Sequence, residues 1–196
     1  MRRKYADAGQ AFPIYITVVG GLLFLAFAYF AVGQAAATRN EARTAADAAA
    51  LAAAQETRDH LADHWLENVL KPDLWQDIFD GIGPTGKPCA RAAQLAAQND
   101  ARLEDCDPKG LLAYTVAVET NEPVGDTNVP GTEDQKAKDS ATAVIEPRCS
   151  FEPPAADAPD DELPRLTCED QFWDLDPDDL SELPEPKDLF DVHLAD

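Results

Sequence analysis

The sequence predicts an α+β protein. It should have a long N-terminal transmembrane and amphipathic helix of pilin-like shape, then a small disulfide-tied domain with a short antiparallel sheet and an acidic, proline-rich tail. Three observations carry that prediction. Residues 9–38 hold no charge and flow without a break into an alanine-rich helical stretch. All four cysteines lie beyond that stretch. Leu112, Tyr114, Val116 and Val118 alternate with residues of the opposite face, the period of a half-buried strand.

The first element is the apolar span. Residues 11–32 are mostly apolar, and at ~1.5 Å per residue they extend about 33 Å, enough to cross a hydrocarbon layer of about 30 Å. Pro13 falls in the first turn, where its missing N–H costs little. Tyr15 and Tyr29 stand near the two ends, where amphipathic rings favour the interface. Arg2, Arg3 and Lys4 precede the span against one acid, Asp7. Short basic flanks stay inside, so the N-terminus reads as cytoplasmic and the C-terminal part as extracytoplasmic. A cleaved signal peptide is the rival, with Ala35, Ala36 and Ala37 as small residues for cleavage. Its apolar region is usually only about 7–15 residues, which favours the uncleaved anchor.

The helix should continue through residues 34–70. Leu51, Arg58, Leu61, Ala62, Trp65 and Val69 recur at helical spacing. Alanine dominates near the span, and small residues let another helix approach closely, so this surface is expected to meet helices of partner subunits. Lys71-Pro72 stops the helix, because the residue before proline avoids helical angles. Residues 73–80 read as a short amphipathic helix capped by Gly81. Residues 83–88 form a loop, and residues 89–98 form a helix opened by Pro88. Residues 101–106, 111–120 and 140–151 read as strands, with a polar loop over 121–139. After Glu152 the chain is rich in Pro, Asp and Glu, should bury little and should be largely extended. Phe172-Trp173 and Leu189-Phe190 are the places where it could dock. The expected division is a leader over 1–10, a transmembrane helix over 11–33, its extension over 34–70, an extracytoplasmic α+β domain over 71–151 and the tail over 152–196.

Formal net charge is −21, and the leader is basic, so the exported part is more negative still. Nucleic acid and anionic headgroups would be repelled, and the charge serves solubility. Cys89, Cys106, Cys149 and Cys168 form an even set in an exported domain, which reads as two disulfides with three pairings open. The sequential pairing, Cys89–Cys106 and Cys149–Cys168, closes two loops of similar length, each worth ~3 kcal/mol. Zinc is disfavoured because no C-x-x-C spacing occurs.

Motifs of catalytic chemistry fail on context. Gly81 to Lys87 read Gly-Ile-Gly-Pro-Thr-Gly-Lys, one residue short of a phosphate-binding loop, and Pro88 stands where Ser or Thr would hold magnesium. His60 and His64 share a helical face, but Leu61 follows His60 where a zinc peptidase needs Glu. Asp174, Asp176, Asp178, Glu182 and Glu185 have some of the spacing of a calcium loop, yet Asp179 replaces the glycine its sharp turn requires. No catalytic residue, cofactor, metal or small-molecule substrate is expected.

Gly9-Gln10, the apolar span and Thr44-Ala-Ala-Asp47-Ala-Ala-Ala-Leu51-Ala52 together resemble the TadE/TadG-like family of tight-adherence, Flp-type pilus assembly proteins. A weaker similarity covers residues 92–106 and 137–144. The resemblance implies a pilin-like membrane protein that helps to build or anchor thin pili, with other Tad-type proteins or pilin-like subunits as partners. It points to Gly9, Gln10, Asp47, Ala49 and Leu51 as the family-bearing positions. Processing by prepilin peptidase is not supported, because Ile14 stands where Glu would follow Gly9. Asp139-Ser140-Ala141-Thr142 does not supply the D-x-S-x-S metal site of the larger members. Asp47 has two readings: an interfacial carboxylate for a partner's cation, or an i,i+4 pair with Arg43 worth ~0.2–0.5 kcal/mol. The leading function is a non-catalytic, single-pass cell-membrane protein of Tad-type pilus assembly or a minor pilin-like subunit. The alternative is a membrane-tethered adhesion, calcium- or ligand-binding module; an anchored hydrolase has no motif behind it.

Overall fold

The computed structural model describes residues 11–123, 134–153, 163–169 and 171–195. Its backbone is one continuous helix, α1 (Ala11–Glu67), of 57 residues. At 1.5 Å per residue it is about 85 Å long. The two halves of α1 do different things. Residues Phe12–Phe30 are apolar, long enough to cross a membrane, and unburied among the described residues. Phe12, Leu22, Phe24, Phe27 and Phe30 all stand exposed.

From Ala42 onward the helix enters the folded domain. Ala42, Ala45, Ala46, Ala49, Ala50, Ala53 and Ala54 have lost all solvent contact, and Thr57, Leu61, Ala62, Trp65 and Val69 continue the buried surface. The spacing of three and four keeps these positions over the sheet and α3 (Pro88–Gln98), the main elements that α1 packs on. Alanine is used where two backbones must come close. Ala92 and Ala96 of α3 are fully buried, so this helix pair meets through methyl groups on both sides.

A four-stranded antiparallel sheet covers the other side in the order β1-β2-β3-β7. The strands are β1 (Ala101–Pro108), β2 (Ala113–Pro123), β3 (Lys136–Pro147) and β7 (Phe190–Leu194). Tyr114, Val116, Val118 and Thr120 point from β2 into the core. A bulge between Leu103 and Asp105 shifts the β1–β2 register. A second, three-stranded sheet has the order β4-β5-β6: Cys149–Phe151, Leu166–Cys168 and Gln171–Trp173. A 3-10 turn (Pro72–Leu74) leads into α2 (Trp75–Phe79), and α4 (Pro186–Leu189) leads into β7.

Small residues fill the half of the core nearer the apolar span and aromatic rings fill the far half. Trp65 and Trp75 lie 5.2 Å apart, Phe151 stands edge-on to Trp75 at 5.2 Å, and Phe79 joins Phe190 at 5.6 Å. These tilted and edge-on contacts suit the ring quadrupole.

Three expectations are corrected here. The C-terminal stretch does not merely lie extended and bury little: Leu166, Leu189 and Phe190 are fully buried, and β7 completes the main sheet. Its proline and acid content hid short apolar pairs that become core only through long-range pairing. The segment 140–151 is two strands in two sheets, because Pro147 has no N–H to continue the ladder. The regular part of α1 ends at Glu67, followed by a turn in which Asn68 N–H donates to the Trp65 carbonyl at 3.0 Å.

Candidate functional site

Asp47 is half-buried on the flank of α1, and its Oδ2 lies 4.0 Å from Nε of Arg43 one turn earlier. The geometry is that of the surface i,i+4 pair. Ala49 is fully buried within the chain, on the part of α1 that packs against the sheet and α3, so it is not itself a free surface. Leu51 is half-buried and packs on the edge of the same core. Gly9 and Gln10 lie outside the described residues, as does the basic leader.

The structure joins Cys89 to Cys106 and Cys149 to Cys168. The first bond ties the start of α3 to β1, and the second links opposed residues of β4 and β5.

The Gly-rich loop 81–87 straps the outer side of α1. No strand precedes it; α2 does. The Lys87 N–H donates to Oε1 of Glu56 at 3.4 Å, and the Thr85 carbonyl accepts from the Thr57 hydroxyl at 3.4 Å. Thr57 also shares a buried 2.8 Å hydrogen bond with Tyr114 of β2. Gly86 has φ +69°, and a Cβ there would come within 2.1 Å of the His60 ring. His60 faces Glu56 at 3.5 Å, while the Asn68 side chain lies 3.3 Å from Nδ1 of His64. The two histidines thus have separate packing and hydrogen-bond partners. Among the described residues, no group of three or more His, Cys, Asp or Glu side chains gathers as a metal site.

The outer side of the main sheet carries a cross-strand charge cluster that the sequence reading missed, because its members come from three strands. Lys138 Nζ lies 2.8 Å from Glu119 and 3.5 Å from Glu104, and Arg102 reaches Glu104 at 2.7 Å and Glu119 at 3.2 Å. The hydrogen bond from Lys138 holds the Glu119 carboxyl below the usual range, against a smaller opposing effect of desolvation. The same bond holds Lys138 above the ordinary lysine value. Arg148 pairs with Glu169 and also donates to the Lys187 carbonyl at 3.2 Å, joining the small sheet to α4.

The apolar half of α1 is exposed and of membrane-crossing length, and it is followed directly by a helical face buried in the chain's own domain. Residues 9–56 match the family model described as putative Flp pilus-assembly TadE/G-like. The N-terminal region is Tad-like. The Tad-like region takes in the whole membrane-length span and most of the buried alanine face, and stops beside the Glu56–Lys87 contact. No curated protein and no solved structure matches the chain.

Proposed function

We propose that this chain is a single-pass cell-membrane protein that acts structurally, without catalysis, in Tad/Flp-type pilus assembly or as a minor pilin-like subunit. The observation that carries the reading is the family match over residues 9–56, which from Ala11 onward follows one unbroken helix that leaves an apolar span and enters a folded domain. In this reading the leader is cytoplasmic, the span sits in the bilayer, and the disulfide-bonded domain stands outside it. The helix is a rigid link: motion or force at the span is transmitted to the domain without an intervening loop. Partners are other Tad-type assembly proteins or pilin-like subunits, met through the span and the outer surfaces of the domain.

The test combines topology with partner recovery. Protease added to intact spheroplasts should digest the domain and spare an N-terminal tag. Chain solubilised from cross-linked membranes should recover other pilus-assembly proteins. Ala26→Arg places a charge at mid-span, costing ~2.5–3.5 kcal/mol on insertion scales, and should abolish both membrane retention and recovery. A protected C-terminal domain, or recovery unchanged by Ala26→Arg, would overturn the reading.

A further inference from the structure

We propose that the outer edge of β6 is a docking site for an extended, basic segment of a partner protein, added as a fourth strand to the small sheet. The proposal stands independently of the pilus reading. β6 (Gln171–Trp173) is the last strand of its sheet, and its outer side has no strand partner among the described residues. An unpaired edge of this kind is a template for strand addition. Natural edges are blunted by lysines, prolines or a covering element. β6 is short, at three residues, but contains no Lys or Pro, and it presents Phe172 with 67% of its surface in solvent.

The chemistry beside the edge selects the occupant. Phe172 and Trp173 form one end of a groove of about 640 Å³ whose other walls include Asp174, Asp176, Asp179 and Glu182. Residues 171–185 contain six carboxylates and no Lys or Arg. Arg165 pairs with Asp174, which leaves the rest of the groove negative. Main-chain pairing on β6 would supply affinity without regard to sequence. Cationic side chains on alternate positions would reach the carboxylates, and one could stack on Phe172. A second copy of this chain is a poor occupant, because edge-to-edge pairing would bring the two acidic grooves together. An anionic membrane surface is repelled for the same reason.

Full-length chain in detergent should be titrated with a fluorescent peptide of about eight residues that alternates Lys with Thr. Two control peptides are needed: one with Glu in place of Lys, and one with alternate backbone amides N-methylated. Saturable binding of the Lys peptide, weakening with salt and absent for both controls, is the expected result. Phe172→Ala and the pair Asp176→Asn/Asp179→Asn should each weaken it about tenfold. Near-ultraviolet circular dichroism and the urea midpoint of each variant should match wild type, so that loss of binding is not loss of fold. Equal binding of the N-methylated peptide, or wild-type affinity in the variants, would overturn the proposal. So would a concentration-dependent dimer through β6, or calcium chloride binding at Asp176 and Asp179 with no binding of the peptide.

Discussion

Ala49 has no free surface, so enlarging it must push on the chain's own sheet or on α3. Ala49→Leu should destabilise the domain by ~1–3 kcal/mol, the usual cost of overpacking. Urea unfolding of full-length chain in detergent, followed by the near-ultraviolet signal of the tryptophans, measures this. An unchanged midpoint would mean that the face is open after all. Glu119 makes a separate prediction about pH. Its folded pKa lies below the unfolded value, so its contribution is present above about pH 4.3 and is lost as pH falls through the lower, folded value. Glu119→Gln should therefore flatten the acid side of the stability profile and leave the trend between pH 7 and 9 unaltered. Thermal melts from pH 3 to 9 would show it, and an acid limb as steep as wild type would count against the assignment.

At the scale of elements, each disulfide closes a short loop and holds one strand in place. Replacing both cysteines of either pair by serine should lower stability by ~3 kcal/mol. For Cys149 and Cys168 the loss should show first in the small sheet, as faster hydrogen exchange at Thr167 and Phe172. Peptide mapping without reduction should recover Cys89–Cys106 and Cys149–Cys168; crossed linkages would contradict the fold directly. Which elements were legible follows from how local their signals are. The helix 88–98 and strand β2 announce themselves by opening proline and by strict alternation. Strands β5, β6 and β7 do not, because three to five residues among prolines and acids carry no period. Phe190 becomes core only because β7 pairs with β3, some forty residues earlier in the chain. The alanine motif was legible as a packing surface, but not as one whose partner lies within the same chain. Small residues signal close approach without saying what approaches, and the strap from Gly81 to Lys87 gave no signal beyond its turn residues.

At the scale of the whole molecule, one helix joins a bilayer-length span to a strongly acidic domain. The apolar part of α1 has about the 30 Å length needed to cross a hydrocarbon layer, and the part from Ala42 onward is the spine of the domain. Between the two, Val32, Gly33, Ala36, Ala37, Arg39, Asn40 and Glu41 are exposed. Such a layout suits a component that must be held at the membrane while presenting a stiff, soluble body to neighbours. The most direct measurement is a count of thin surface pili by electron microscopy in cells lacking this chain. The same cells should also be complemented with wild type and with the Ala26→Arg variant. The account predicts loss of pili on deletion, recovery with wild type and no recovery with Ala26→Arg. Normal pili in the deletion strain, or full rescue by the variant that cannot hold its place in the membrane, would contradict it.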